Sequence, residues 1–349
     1  MKDPTTRKPV LQIDNLGKYF PVTRGIFRRE VARVQAVDNL FLKLYPGETL
    51  GIVGESGCGK STLARLIVRL LDPSRGKVNI ELDDPRLHHL RDNRTGLIDI
   101  TKIPRKSLLE YRAKVQMVFQ DPYMSLNPRM RVGTAIREVM EVQKNVEPSK
   151  RNARVAELLT DVGLRADMAD RYPHEFSGGQ RQRVSIARAL AAEPSILVAD
   201  EPVSALDVSV QAQVVQMLLE IQSKYRLSMI FISHDLSVVK YVSDRVAVMY
   251  LGEVVECGKT DEIFNSPRHP YTEALMRSVP RLGVAANEID VISGEIPSNI
   301  SPPPGCKFNP RCKYRQNICS TKVPHNVDDG DGNLSRCHFT NELKLDGIL

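Results

Sequence analysis

The sequence predicts an α/β protein built on a parallel sheet that is buried on both faces. Three observations carry that reading. Short apolar runs rich in β-branched residues recur along the chain, helix-prone stretches separate them, and three of the runs end in a polar or ionisable residue. Strands covered on both faces read as continuous apolar runs, not as alternating ones. The 349 residues give ample length for one large core plus an appendage.

Thr49 to Val53 (TLGIV) is the first such run, and LARLIVRLL, suited to a helix, begins ten residues later. Between them lies GESGCGKST: Gly54, Glu55, Ser56, Gly57, Cys58, Gly59, Lys60, Ser61 and Thr62. It satisfies G-x-x-x-x-G-K-[ST], which a chain of this length meets by chance about once in a hundred. The strand, loop and helix order is the one a phosphate-binding loop requires. Backbone N–H groups wrap the phosphates, Lys60 neutralises the β- and γ-phosphates, and the Ser61 hydroxyl coordinates Mg2+. Nucleotide binding is therefore expected.

Val115 to Phe119 ends at Gln120, Ile196 to Ala199 at Asp200 and Glu201, and Met229 to Ser233 at His234. Ligands of open α/β sheets bind at the carboxyl ends of the strands, so these residues are expected to converge beside Lys60. ATP hydrolysis needs a held metal, a positioned water and stabilisation of the transferred charge. Asp200 is assigned to Mg2+ with Ser61 and Gln120, and Glu201 to polarising the attacking water. Gln120 would also sense that water, and His234 the γ-phosphate.

Phe176-Ser177-Gly178-Gly179-Gln180 precedes a helix-prone run, Gln180 to Ala192. Ser177 sits where a helix N-cap belongs, and free N–H groups there suit a phosphate.

Taken in order, these elements resemble the ABC-type ATPases across nearly the whole chain. ILVADEP resembles their Walker B segment, the pentad at 176 to 180 their signature, and Ser204-Ala205-Leu206-Asp207 their D-loop. The resemblance implies a cassette with a mixed core sheet, working as a head-to-tail pair. In such a pair each chain's Walker side faces the partner's signature. Phe20, in LGKYFP, resembles the aromatic that stacks on adenine, with Tyr19 as runner-up.

Gln120 to Arg129 (QDPYMSLNPR) and His269-Pro270-Tyr271-Thr272 resemble the dipeptide, oligopeptide and nickel importers, and LGKYFPVTRG their F-type subunit. That resemblance implies a paralogous ATPase partner, two transmembrane permease subunits, an extracytoplasmic substrate-binding protein, and a place on the cytoplasmic face of the inner membrane. The expected organisation is a nucleotide-binding domain over 1–261, a helical subdomain inserted near 122–192, and an extension over 262–349. Asp83 to Gly96 departs from the subfamily by its length. Its paired His88 and His89 read as part of a solvated loop, not a metal site.

Four of the six cysteines, Cys306, Cys312, Cys319 and Cys337, are spaced C-x5-C-x6-C-x17-C. This matches neither a zinc ribbon nor common ferredoxin spacings, and leaves free thiols, zinc and an iron-sulfur cluster open. The surrounding prolines and scarce apolar residues favour a metal staple. Resemblance to the C-terminal domain of the importer subfamily implies a [4Fe-4S] cluster, with zinc second.

The net charge is +7, from 49 Lys and Arg against 42 Asp and Glu. That suits either nucleic acid or an anionic membrane surface. A soluble ATPase acting on nucleic acid or ribosomes is the competing reading. Against it, the chain holds neither a second cassette nor a long coiled-coil insertion, and no nucleic acid partner is expected. No run approaches the ~18 apolar residues of a membrane span, and MKDPTTRKP carries no apolar signal segment. Any pore is expected to belong to other chains.

Overall fold

The structure is a computed structural model that describes residues 8–25, 27, 29–278, 294–328 and 333–347. Residues 279–293, inside the expected extension, lie outside the described residues.

Chain order begins with β1 (Leu11–Arg24) and β2 (Arg29–Leu44), then β3 (Thr49–Val53), α1 (Lys60–Ile67), β4 (Arg75–Ile80) and β5 (Ile98–Asp99). Next come α2 (Leu108–Lys114), β6 (Val115–Val118), and four helices over 122–190: α3 (Pro122–Ser125), α4 (Val132–Gln143), α5 (Arg151–Asp161) and α6 (Gly178–Leu190). The sequence then returns to the sheet through β7 (Ile196–Asp200), α7 (Val208–Tyr225), β8 (Ser228–Ile232), α8 (Leu236–Val242), β9 (Arg245–Tyr250) and β10 (Glu253–Lys259). The last described elements are α9 (Thr260–Asn265), α10 (Pro270–Arg277), β11 (Val327–Asp328) and β12 (Leu334–Ser335).

These strands form two sheets. One is antiparallel, in the order β2-β1-β4-β5; the other runs β11-β12-β10-β9-β3-β8-β7-β6. Its members from β9 to β6 are parallel, and β10 turns back antiparallel on β9, so the sheet is mixed.

The apolar runs are continuous because alternate residues serve different cores. Leu50, Ile52, Ile196, Val198, Ile230 and Ile232 face α1 and the antiparallel sheet. Val53, Leu197, Ala199, Met229 and Phe231 face α6, α7 and the helices over 122–190. With both faces buried, no charged side chain occurs along β3, β7 or β8 before the last residue of the strand.

Two expectations need revision. Asp83 to Gly96 is not simply a solvated loop: Asp84 accepts from Arg86 N at 2.9 Å and caps a 3-10 turn over Pro85–Leu90. That turn drives Leu87 into the core at 0% exposure, while His88 and His89 stay outside. The histidines are exposed as expected, but the burial of Leu87, with Leu90 partly buried beside it, was not foreseen because two apolar residues among charges give too short a pattern to read.

The chain beyond Asp261 also does not stand apart from the cassette. Leu334 and Ser335 of β12 pair with Cys257 and Glu256 of β10, which extends the core sheet. Tyr250 of β9, Tyr271 of α10 and Phe308 form an aromatic trio, with ring centroids 4.6 to 5.3 Å apart. Such edge and tilted contacts add to the area they bury. No helix among the described residues is long and apolar enough to cross a membrane.

Leu87→Ala should lower the free energy of unfolding by about 2–4 kcal/mol. His88→Ala should change it by less than about 0.5 kcal/mol. Urea melts of the two variants check the assignment, and equal small effects would return the segment to a surface loop.

Candidate active site

The loop between β3 and α1 takes its shape from three glycines in the left-handed or mirror region, Gly54 at φ 148°, Gly57 at 78° and Gly59 at 107°. At Gly59 a Cβ would lie 2.2 Å from Ala36 O, so no other residue fits. The Lys60 ammonium, buried at 7% exposure, donates to Gly54 O at 2.7 Å and Glu55 O at 3.0 Å, and lies 3.7 Å from Cys58 Sγ. It holds the loop by neutral acceptors, which leaves its charge available to an anion.

The strand ends converge as expected. Ser61 Oγ donates to Asp200 Oδ1 at 3.0 Å. Burial raises the Asp200 carboxyl above its ordinary pKa, the Ser61 bond opposes that rise, and the adjacent Glu201 charge adds to it. A cation between these groups would relieve both the burial and the repulsion. Gln120 Nε2 donates to Glu201 Oε2 at 2.9 Å, and His234 Nδ1 lies 3.3 Å from the same oxygen. Glu201 itself sits at φ 48°, a left-handed conformation that costs about 1–2 kcal/mol for a residue with a Cβ. Its N–H donates to Ile232 O at 2.9 Å, which fixes the strained residue against β8.

A cavity of about 450 Å3 opens over these groups. Ser56, Gly57, Gly59, Lys60, Ser61 and Thr62 form its floor, and Gln120, Glu201 and His234 one wall. Gly54, Glu55, Cys58 and Asp200 support the floor without lining it. Val34 and Ala36 of β2 form the opposite wall, and Phe20 pairs directly across from Val34 on the same face of the hairpin. Tyr19 is occupied elsewhere, donating to Asp38 Oδ1 at 2.7 Å.

The pentad lies apart from this cavity. Ser177 caps α6: its Oγ accepts from Gln180 N at 3.3 Å, and Gln180 Oε1 accepts from Ser177 N at 3.0 Å. Phe176 is buried, whereas Ser177 and Gly178 are exposed. A Cβ on Gly179 would lie 2.4 Å from Val210 Cγ1 of α7, so this glycine allows a close helix approach. Asp207 caps α7 by its backbone and leaves its side chain exposed. None of the five residues lines the chain's own cavity.

Sequence reasoning missed the contribution of the extension. Arg311 makes a two-pronged ion pair with Glu55 of the phosphate loop, at 2.7 and 2.8 Å. Tyr271 Oη accepts from Glu55 N at 2.9 Å. Lys307 pairs with Asp38 at 3.2 Å and Glu253 at 3.0 Å, and Asn299 lines the cavity itself. These residues lie more than 200 positions from the loop; Tyr271 falls in the His269-Pro270-Tyr271-Thr272 stretch, but no local pattern marks Arg311, Lys307 or Asn299, or shows that Tyr271 reaches Glu55.

Cys306, Cys312, Cys319 and Cys337 share one small cavity of about 20 Å3, bounded also by His269 and Phe308. All four are free thiols. Burial pushes the Cys306 thiol up to about 12 and Cys312 up to about 11, so both stay protonated at neutral pH. Among the described residues no group of three or more His, Cys, Asp or Glu side chains is placed to hold a metal ion. The expected ligand set is thus gathered but not closed. Neutral thiols have no charge to draw them onto a common centre. As a donor set, four soft sulfurs around one dry cavity fit a metal staple.

Arg311→Ala should destabilise the fold by about 3 kcal/mol, because it leaves the Glu55 carboxylate without its cation in a half-buried place. It should also weaken ATP binding. Arg311→Lys should not restore either property, since an ammonium cannot reproduce the two-pronged contact. Differential scanning calorimetry and equilibrium ATP binding check both; full rescue by Lys would remove the geometric requirement.

Comparison with known proteins gives the family of the chain. The ABC transporter family matches residues 37–204, and the oligopeptide/dipeptide transporter C-terminal region matches residues 255–319. An oligopeptide transport ATP-binding protein of Bacillus subtilis is 45% identical over 95% of this chain and 98% of its own length. A dipeptide transport ATP-binding protein of Escherichia coli is 44% identical over 96% of each. Among solved structures, a dimeric ATP-binding cassette in a post-hydrolysis state with ADP and Pi is 27% identical. It aligns with a TM-score of 0.58 over 72% of this chain and 98% of that one. The phosphate loop, the metal-side carboxylates and the docked C-terminal region thus occur together, and the chain belongs to the ABC transporter ATP-binding proteins of the oligopeptide and dipeptide branch.

Proposed function

We propose that the chain is the ATP-hydrolysing subunit of an importer of di- or oligopeptides, docked at the cytoplasmic face of the inner membrane beneath two permease subunits. One observation carries the reading. Ser61 and Asp200 meet on one side of the phosphate loop, and Gln120 and His234 both meet Glu201 on the other. An extracytoplasmic binding protein would supply the peptide.

The catalytic steps follow from these positions. As ATP enters, the Lys60 ammonium moves from the loop carbonyls to the β- and γ-phosphates. Ser61, Asp200 and Gln120 would hold Mg2+, which would offset the charge of the phosphates. Gln120 and His234 fix one oxygen of Glu201 and leave the other to polarise the attacking water. His234, 62% exposed, is placed to reach the γ-phosphate. Phe20 stacks on adenine. The Ser177 to Gln180 end of α6, exposed at Ser177 and Gly178, with Asp207 nearby, completes the nucleotide site of a paralogous partner chain, and the partner's own pentad closes this one.

Closure needs a surface that transmits it. A groove of about 520 Å3 runs between the helices over 122–190 and β6, lined by Leu109, Met117, Phe119, Val139 and Val142. Phe119 adjoins Gln120, so a permease helix seated there would register the state of the nucleotide.

The four clustered cysteines would hold a [4Fe-4S] cluster, with zinc as the second choice. Such a cluster supplies a covalent cross-link and a one-electron couple. The chain's own share is to bring four sulfurs from 306–337 to one cavity at the start of α10.

Glu201→Gln should bind ATP with near-normal affinity, lose at least ~100-fold in turnover, and accumulate as the closed dimer with its partner chain. Radiolabelled ATP binding, phosphate release and size-exclusion chromatography check this. Hydrolysis within about twofold of wild type would take Glu201 out of its role. Anaerobically purified protein should carry about four iron and four sulfide per chain with broad visible absorption. Cys306→Ser should lose both. Stoichiometric zinc without iron would replace the cluster by its runner-up.

A further inference from the structure

One part of the nucleotide cavity comes from outside the cassette motifs. Asn299 stands in the proline-bounded stretch Ile296 to Pro304 of the extension. Gln35 N donates to Asn299 O at 2.9 Å, which pins the residue to β2 between the cavity-lining Val34 and Ala36. Asn299 Nδ2 donates to Gly57 O, on the phosphate loop, at 3.2 Å. This contact sets the orientation of the amide, because only its NH2 end can donate to a carbonyl. Asn299 Oδ1 is then shielded from solvent and has no hydrogen-bond partner. Shielded polar oxygens left without a donor are uncommon, and in a cavity wall they point to a ligand group.

The position narrows the donor. Phosphates over Lys60 and a base against the Phe20 and Val34 face leave the sugar between them, beside Asn299. Phosphate oxygens only accept at neutral pH and cannot satisfy Oδ1. The purine amino group lies at the far end of the base from Gly57. Ribose hydroxyls remain, and they donate. We propose that Asn299 Oδ1 accepts a hydrogen bond from a ribose hydroxyl of the bound nucleotide, so that the C-terminal extension reads the sugar. The inference rests on nucleotide binding in this cavity.

The full chain is titrated with ATP, 2′-deoxy-ATP and 3′-deoxy-ATP by equilibrium binding, as wild type and as Asn299→Ala. Wild type should prefer ATP over one of the deoxynucleotides by about three- to tenfold, the range of a single hydrogen bond. Asn299→Ala should erase that preference by weakening ATP, and the deoxynucleotide that keeps the hydroxyl, more than the one that lacks it. Equal weakening of all three nucleotides would show that Asn299 only braces Gly57, and would overturn the proposal. So would a wild-type protein that does not distinguish them, a measurement that needs no variant. Absence of any ATP binding would remove the nucleotide reading and this inference with it.

Discussion

The phosphate loop is a stretch of backbone that must keep its N–H groups pointed at a common centre, and the rest of the site depends on how it is held. Lys60 ties it from within through Gly54 O and Glu55 O. Gly59 lets it press on Ala36 O of β2. Arg311, Tyr271 and Asn299 clasp it from the C-terminal side at Glu55 and Gly57. A loop held at both ends and from both sides loses less freedom when a ligand arrives, which is the physical content of preorganisation.

The sheet explains why the chemistry collects at one edge. With β3, β7 and β8 buried on both faces, charge is tolerated only at or beyond the last residue of each strand. Parallel strands bring those ends to the same side. Asp200, Glu201 and His234 are thus neighbours because the strands before them are apolar. The strained Glu201 follows from the same rule: its left-handed backbone turns the carboxylate back toward Gln120 and His234 and away from the direction of the strand.

The parts of the fold that were legible in the sequence are those with a local cause. TLGIV, ILVAD and SMIFI each declare a buried strand, and Gly54 to Thr62 declares the loop between strand and helix. The Ser177 cap could be read from the serine, the glycines and the helix-prone run after it. Arg311, Asn299 and Leu87 could not be read in this way. Arg311 matters because of Glu55, 256 positions away, and Asn299 because of Gly57, 242 positions away. Long-range pairs leave no periodicity, and Leu87 and Leu90 among charges are too few to give one. The cysteines show the same limit: spacing identified the set, but only folding shows that all four face one cavity at the start of α10.

The pairing of β12 with β10 has a consequence for the chain's behaviour in solution. Without it, β10 would present a seven-residue row of unpaired N–H and C=O groups, EVVECGK, most of it apolar and buried in the intact protein. Open edges of that kind template association with other chains. The extension covers it with strands of two residues each, Leu334–Ser335 and then Val327–Asp328, which are too short to template a further strand. The segment that carries the cysteines thus also protects the sheet from aggregation, and a cassette trimmed after β10 would carry an adhesive flank.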